Sequence, residues 1–251
     1  MRADEFLTVK GFFDSRTKAK QAIERGEVFF NGKRVIKPSE KTDGQDITTE
    51  IKIAARFVSL GGYKLAKALN DFNFSVNGLT VADVGASTGG FTDCLLQNGA
   101  AKVYAVDLND GLLHKSLKND IRVISVIKNA KTLSCEDVGG ISLITADLSF
   151  ISAKQVLPVF YDILPNGGKV ILLIKPQFEI GERRRFKNGI VRDAKVIKAA
   201  CKNVFDAANA AGFSAVKMTT APISDDKNTE FLILLAKDKD QGATFNELFV
   251  F

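Results

Sequence analysis

Three charged residues in this sequence adjoin strongly apolar runs, where an unpaired charge would be costly. Asp147 and Lys175 each follow such a run, and Glu230 precedes one. If the strands that carry them are neighbours or near neighbours, Asp147 and Glu230 can flank Lys175 at the mouth of a cofactor site. Lys64, earlier in the chain, could complete the group. A purely structural network of ion pairs is the alternative interpretation.

A glycine-rich segment, residues 83–91, suggests a second kind of chemistry, the binding of a nucleoside-bearing cofactor. It ends one predicted strand and opens a helix, so it offers close backbone approach and free N–H groups. Asp107 ends the next predicted strand, where its carboxylate could accept hydrogen bonds from two ribose hydroxyls. The loop spacing departs from the dinucleotide fingerprint, which disfavours a nicotinamide cofactor. The alternative is an ordinary tight turn beside a surface aspartate. The candidate cofactor residues are Asp83, Gly85, Ala86, Ser87, Thr88, Gly89, Gly90, Phe91, Asp107, Leu108 and Asp147.

Strands that alternate with helices would bring these residues together. Near-continuous apolar runs predict strands at residues 81–85, 103–107, 123–127, 142–147, 170–175, 215–218 and 231–236. Amphipathic stretches predict helices at residues 63–72, 91–98, 111–118, 153–164 and 194–210. This alternation predicts an α/β fold with a mostly parallel sheet covered on both faces, which binds ligands at the carboxyl ends of its strands.

The first forty residues predict a separate helix and hairpin. Ser15 can cap a helix that stops at Gly26, and Asn31-Gly32 suits a tight hairpin turn because both residues tolerate positive φ. We therefore expect a small domain over residues 1–52, a linker over 53–60 and a larger domain over 61–251.

Composition narrows the class of protein and of partner. The chain has 251 residues, of which 45% are hydrophobic and 25% charged, with a formal net charge of +6. Basic side chains concentrate in residues 1–59 and 182–198, which suggests a polyanionic partner, and a merely solvated surface is the alternative interpretation. No apolar run reaches the roughly 20 residues of a membrane span, and three scattered cysteines suit a reducing compartment. We expect a cytoplasmic protein with neither a membrane partner nor a metal.

Taken together, these segments resemble the TlyA family of ribosomal RNA 2′-O-methyltransferases, whose catalytic domain is similar to the FtsJ enzymes. In the larger domain the resemblance is carried by residues 58–59, 61–65, 83–93, 147–152, 173–179, 189–193 and 228–232. The first forty residues resemble an αL RNA-binding domain through Arg2, Ser15, Arg16, Ala19, Gly26, Val28, Asn31, Gly32 and Pro38.

The resemblance implies a Rossmann-like class I methyltransferase sheet whose last strand is antiparallel. It implies S-adenosylmethionine as the methyl donor, a cytidine ribose 2′-hydroxyl in ribosomal RNA as the acceptor, and ribosomal RNA or a ribosomal subunit as the partner. The catalytic set carried over is Lys64, Asp147, Lys175 and Glu230. We expect Lys175 to lie nearest the hydroxyl, with Asp147 and Glu230 beside it and Lys64 steering the ribose or phosphate. The chain looks like the branch of the family associated with large-subunit (23S) RNA only.

The candidate RNA contacts are basic residues in both predicted domains: Arg2, Arg16, Lys18, Lys20, Lys33, Arg34, Arg183, Arg184, Arg185 and Lys187. Three other functions stay open. A catalytically silent ribosome-assembly factor is disfavoured by the intact catalytic set. A membrane-lytic toxin is disfavoured by the missing apolar span, although homologues often carry a haemolysin name. A nicotinamide oxidoreductase is disfavoured by the loop spacing.

Overall fold

The computed structural model describes residues 1–24, 26–42, 47–51, 56–180, 189–222, 227–238 and 242–250. Within the chain, Met1–Arg56 and Phe57–Phe251 form two compact units. Residues 57–60, expected in the linker, are part of the second unit. There Phe57 is buried and the backbone N–H of Val58 donates to the Asp93 carboxylate at 2.8 Å.

The first unit combines two helices with a three-stranded antiparallel sheet. Its elements are α1 (Ala3–Val9), α2 (Arg16–Glu24), β1 (Val28–Phe30), β2 (Lys33–Arg34) and β3 (Thr49–Ile51), with strand order β2-β1-β3. The predicted cap and turn are confirmed: Ser15 Oγ accepts from the backbone N–H of Lys18 at 3.3 Å, and Asn31 and Gly32 both have positive φ. Helix α1 and strand β3 were not predicted, since both are short and lack a clear apolar period.

The second unit is a seven-stranded sheet in the order β6-β5-β4-β7-β8-β10-β9. The strands are β4 (Thr80–Val84), β5 (Lys102–Asp107), β6 (Val123–Ile127), β7 (Leu143–Ala146), β8 (Lys169–Ile174), β9 (Ser214–Thr220) and β10 (Phe231–Ala236). The first five strands in this order, β6, β5, β4, β7 and β8, pair in parallel, and β10 is antiparallel to both of its neighbours. The predicted Rossmann-like methyltransferase sheet with an antiparallel last strand is therefore confirmed.

Helices cover both faces of this sheet. They are α3 (Gly61–Phe72), α4 (Gly90–Gln97), α5 (Lys115–Lys118), α6 (Leu157–Ile163), α7 (Pro176–Glu179), α8 (Ala194–Ala210) and α9 (Phe245–Leu248). Successive side chains of β8 enter opposite cores: Ile171 and Leu173 pack with α3 and α4, whereas Leu172 and Ile174 pack with α6 and α8. This alternation explains why the strands read as continuous apolar runs.

Two helices predicted as continuous are each divided. His114 has an extended backbone and caps α5 through the backbone N–H of Ser116, so it separates α5 from the short 3-10 helix Asp110–Leu112. Ser152 likewise caps the 3-10 helix Ala153–Gln155, which precedes α6. In both places a local side-chain cap competes with a continuous helix.

Candidate active site

Adjacent strands bring the three predicted strand-end charges to one edge of the sheet. Strands β7, β8 and β10 are neighbours, so Asp147 and Lys175 emerge from the carboxyl ends of parallel strands. Phe231 pairs with Ile174 across the antiparallel ladder. Glu230 and Lys175, the next residues outward, therefore adjoin at this edge.

The Lys175 amine is held by two oxygens of the segment that follows β7. Its Nζ lies 2.5 Å from Asp147 Oδ1 and donates to Ser149 Oγ at 2.9 Å. The Lys175 side chain is only 11% exposed, and Asp147 Oδ1 is itself buried. Lys175 therefore lies near the surface of the fold with a fixed orientation.

Glu230 forms the second ion pair of the site, and its partner differs from the expected one. Its carboxylate lies 2.6 Å from Lys64 Nζ, on the first turns of α3. We expected Asp147 and Glu230 to flank Lys175, but the described residues form two separate pairs, Lys175–Asp147 and Lys64–Glu230. The long Lys64 side chain reaches Glu230 from the helix above the strand, and this reach is invisible in a strand pattern.

The glycine-rich loop touches the same edge of the sheet. Gly85 has a φ of +83°, and a Cβ there would lie 2.6 Å from the carbonyl oxygen of Asp147. Only glycine allows this close backbone crossing. The glycine-rich loop therefore packs directly against the backbone of Asp147, the partner of Lys175.

Asp107 organises the outer part of this loop. Its carboxylate accepts from the backbone N–H of Ser87 at 2.9 Å and from that of Asn109 at 3.3 Å. A carboxylate has about four acceptor positions, so two remain for ribose hydroxyls. The neighbouring Leu108 is 69% exposed and offers apolar surface for a nucleobase. These residues fit a nucleoside such as that of S-adenosylmethionine.

The structure revises the role of the glycines at the start of α4. Gly89, Gly90 and Phe91 are buried. A Cβ at Gly90 would lie 2.2 Å from Ser59 Oγ and 2.9 Å from the backbone nitrogen of Gly62. Gly90 therefore permits close packing of α4 against the start of α3, rather than approach to a ligand.

The role expected of Asp83 is revised too, because its side chain is completely buried beneath the loop. The hydroxyls of Thr92 and Thr145 donate to its carboxylate at 2.6 and 3.0 Å. Burial raises the pKa of Asp83 to about 7, and the negative charge of Asp147 adds to this effect. Asp83 ties β4 to β7 and α4 from inside the protein.

Sequence reasoning missed several residues that hold the site. Glu179, on α7, is 8% exposed and binds Ser152 and Ala153; burial raises its pKa. Asn228 accepts from the backbone N–H of Val191 at 2.7 Å and donates to the carbonyl of Gly189 at 2.9 Å. A glutamate one helical turn beyond Lys175 was the available signal for the first of these.

Most candidate RNA contacts in the first unit already have acidic partners. Arg2 and Arg16 both bind the buried Asp4, and the hydrogen bond from Arg2 is the main cause that lowers the pKa of Asp4 to about 2. Other pairs are Lys18–Asp14 at 2.6 Å and Lys20–Glu24 at 3.6 Å. The candidates outside the described residues are Arg183, Arg184, Arg185 and Lys187.

The described residues lack both a metal-binding cluster and a membrane-spanning helix. No group of three or more histidine, cysteine or acidic side chains there could hold a metal ion. No helix in the same part of the chain is long and apolar enough to cross a membrane.

Comparison with known proteins decides the family. Residues 57–237 match the FtsJ-like methyltransferase family, and residues 1–47 match the S4 domain. This chain belongs to the FtsJ-like methyltransferases. The FtsJ-like match covers all four members of the predicted catalytic set and the glycine-rich loop.

Relatives of this FtsJ-like methyltransferase support the TlyA resemblance. The 16S/23S rRNA (cytidine-2'-O)-methyltransferase TlyA of Mycobacterium tuberculosis is 35% identical, with 96% of this chain and 91% of the relative covered. A solved Streptococcus thermophilus protein that carries the name hemolysin is 39% identical, with a TM-score of 0.74 over 99% of this chain and 94% of that one.

A solved S-adenosylmethionine-dependent methyltransferase from Mesorhizobium loti shares the fold alone. It is 15% identical, with a TM-score of 0.52, and the match covers 71% of this chain and all of that one.

Proposed function

We propose that this chain transfers a methyl group from S-adenosylmethionine to the 2′-hydroxyl of a cytidine ribose in ribosomal RNA, with large-subunit (23S) RNA as its only substrate. The observation that carries the proposal is the Lys175–Asp147 pair, 2.5 Å apart, with the glycine-rich loop packed against the backbone of Asp147. The TlyA relative's name supports the RNA class. The restriction to one subunit rests on the family resemblance alone. An rRNA substrate also implies a cytoplasmic location.

We assign cofactor binding to the accessible residues of the glycine-rich loop and of the end of β5. Asp107 would accept hydrogen bonds from the ribose hydroxyls, and Leu108 would pack against the base. Gly85, Ser87 and Thr88 would border the remaining part of the cofactor. When bound, S-adenosylmethionine supplies an electrophilic methyl group on a sulfonium sulfur. Asp83, Ala86, Gly89, Gly90 and Phe91 would shape the loop from beneath, since all five are buried.

Lys175 would orient the acceptor hydroxyl and help to remove its proton. The Lys175 amine is held by the ion pair with Asp147 and by Ser149 Oγ, and in its neutral form it would accept the proton of the acceptor hydroxyl. As the acceptor oxygen bonded to the methyl carbon, the electron pair of the carbon–sulfur bond would remain on sulfur. The Asp147 carboxylate would then stabilise the ammonium group formed on Lys175. Such general-base assistance is worth about 10² to 10⁴ in rate.

Lys64 and Glu230 would act beside the reacting atoms. Their ion pair keeps the Lys64 amine at the same edge of the sheet, where it would steer the ribose or a phosphate. Arg2, Arg16, Lys18, Lys20, Lys33 and Arg34 would dock the RNA on the S4 domain, with Arg183, Arg184, Arg185 and Lys187 as a second group of contacts.

Lys175→Ala tests the proposal directly. We expect methyl transfer to ribosomal particles to fall at least 100-fold, because the group that orients and deprotonates the hydroxyl is gone. Affinity for S-adenosylmethionine should stay unchanged, since no predicted cofactor contact is lost. Incorporation of tritiated methyl groups measures the first quantity, and calorimetry the second.

Lys128→Ala is the matched control, because Lys128 also pairs with an aspartate, Asp137 at 3.1 Å, but on another part of the surface. Full methylation by the Lys175→Ala protein would remove Lys175 from the mechanism. Wild-type protein that binds particles without labelling them would instead indicate a silent assembly factor. Mapping of the labelled nucleotides in both rRNAs tests the restriction to one subunit.

A further inference from the structure

We propose that Glu179 is a positioning residue, which sets the geometry of the Lys175–Asp147 pair by clamping the segment that follows β7. This inference deepens the proposed function and rests on it. The clamped segment is defined as residues 147–153, from Asp147 to the first residue of the following 3-10 helix.

Glu179 binds the far end of the clamped segment with both carboxylate oxygens. Oε2 accepts from the hydroxyl of Ser152 at 2.6 Å, and Oε1 accepts from the backbone N–H of Ala153 at 2.9 Å. Among the described residues, no lysine or arginine nitrogen lies within 4.0 Å of this carboxylate. Two neutral donors are therefore its direct partners, and the positive charge of Lys154 adds a smaller stabilising effect.

The charge of the Glu179 carboxylate is energetically unfavourable in its buried position. The side chain is 8% exposed, and burial of a carboxylate without a cation is unfavourable unless its oxygens are well bonded. A glutamine has only one acceptor oxygen, so its amide NH₂ would have to donate to Ser152 Oγ, and the Ser152 hydroxyl proton would lose this acceptor. A glutamine would therefore rearrange the contact and replace charge-assisted hydrogen bonds by weaker neutral ones.

The geometry shows what the clamp controls. Lys175 and Glu179 stand at the start and end of one short element, α7 with its N-cap. Their partners stand at the two ends of the clamped segment: Lys175 holds Asp147 and Ser149, and Glu179 holds Ser152 and Ala153. The two elements are thus held together at both ends. A shift at Glu179 would therefore displace the oxygens that orient the Lys175 amine.

An aromatic contact also joins α7 to the clamped segment. The Phe178 ring is 5.1 Å from the ring of Phe150 on the clamped segment, and Lys175 Nζ lies 6.0 Å from the centre of the Phe178 ring. Leu148 and Ile151 line one small space together with Lys175 and Glu179. The two elements are therefore packed directly on each other, which lets the clamp transmit small shifts.

Glu179→Gln is the principal test, assayed below the melting temperature of every variant. We expect kcat for methyl transfer to fall about 10- to 100-fold, because small misplacement of a reacting group costs this much. KM for RNA and Kd for S-adenosylmethionine should stay within twofold. A merely structural role would lower the melting temperature but leave kcat of the folded protein unchanged.

Glu247→Gln is the matched control for the lost hydrogen bonds. Glu247 accepts from the backbone N–H and the hydroxyl of Thr244, each at 2.7 Å, at the start of α9. It binds the same two kinds of donor as Glu179, but outside the site. Its substitution should leave kcat unchanged.

Ser152→Ala is a milder variant that keeps the test valid if Glu179→Gln does not fold. It should lower kcat less than Glu179→Gln, and the double variant should be no slower than Glu179→Gln alone, since both act through one contact. Full kcat in folded Glu179→Gln or in Ser152→Ala, or additive losses in the double variant, would overturn the positioning role while leaving the proposed function intact. An inactive wild type would overturn both.

Discussion

Burial of the Asp83 carboxyl disfavours its charged form, so its titration should have a measurable effect on the free energy of unfolding. Its pKa is about 7 in the folded protein against an ordinary 3.8, because it is completely buried. The folded state keeps the proton between these values, whereas the unfolded chain has lost it. The stabilisation from this group is therefore complete below about pH 4 and is lost as the pH rises through 7.

Asp83→Asn removes this titration. The free energy of unfolding of the wild type, relative to that of the variant, should fall by about 1.4 kcal/mol per pH unit between pH 5 and 7. Urea unfolding at a series of pH values measures the difference. Asp120→Asn is the control: the hydrogen bond from Arg122 lowers the pKa of Asp120, so its difference should be flat over this range. Parallel wild-type and Asp83→Asn curves would contradict the assigned burial of the charge.

The residue types and one of the two ion pairs, Lys175–Asp147, were predictable from the sequence, whereas the partner of Glu230 was not. Asp147, Lys175 and Glu230 stood out because a charge beside an apolar strand needs a partner. The choice of Lys64 for Glu230 depends on side-chain reach from α3 across 166 positions of sequence, and no local pattern encodes it. Glu179 was missed for the same reason, since its partners lie on another element.

Helix α4 approaches helix α3 so closely that one added methyl group should be felt. The backbone near Gly90 lies against Gly61 and Gly62, with 2.9 Å left between a Cβ and the Gly62 nitrogen. We expect Gly90→Ala to lower the free energy of unfolding by about 1 to 3 kcal/mol, because backbone on both sides resists displacement. Thermal or urea unfolding measures this loss.

Gly139→Ala is the matched control, because a Cβ there would meet only the carbonyl of Cys135 at 4.0 Å. It should change stability by less than about 0.5 kcal/mol. Equal stability of the two variants would mean that α3 and α4 can move apart at no cost.

The strands of the large sheet were predictable from the sequence, but the breaks within two of the helices were not. Strands β4, β7, β8 and β10 were predicted because each is a run of apolar residues buried on both faces, whereas the edge strands β6 and β9 were predicted although they are only partly buried. The single helices expected over residues 111–118 and 153–164 were wrong, since His114 and Ser152 cap new starts within them. Capping by one side chain is a local competition that apolar periodicity does not register.

At the scale of the whole molecule, RNA binding should depend on which cations are already neutralised. Lys20 lies 3.6 Å from Glu24, whereas within the described residues Lys33 has no carboxylate inside 4.0 Å. A phosphate must compete with Glu24 for Lys20, but it meets Lys33 without a local competitor. Lys33→Ala should therefore weaken RNA binding more than Lys20→Ala does.

Salt titration measures this difference. Affinity for a labelled rRNA fragment should fall linearly on logarithmic axes as salt rises, and Lys33→Ala should reduce the slope by about one. Lys20→Ala should reduce it less. A flat salt response of the wild type would contradict phosphate contact altogether, and equal slopes of the two variants would contradict the role given to the ion pairs.

Strand β10 fills the position between β8 and β9 although it is the last of the seven to be synthesised. A ribosome making this protein releases β9 before the strand that will hold it exists. Until β10 emerges, the apolar edge of β8 has no cover, and unprotected edges of this kind recruit other chains. We therefore expect a chain interrupted before residue 231 to leave this edge unpaired and to aggregate rather than persist as a partly active fragment.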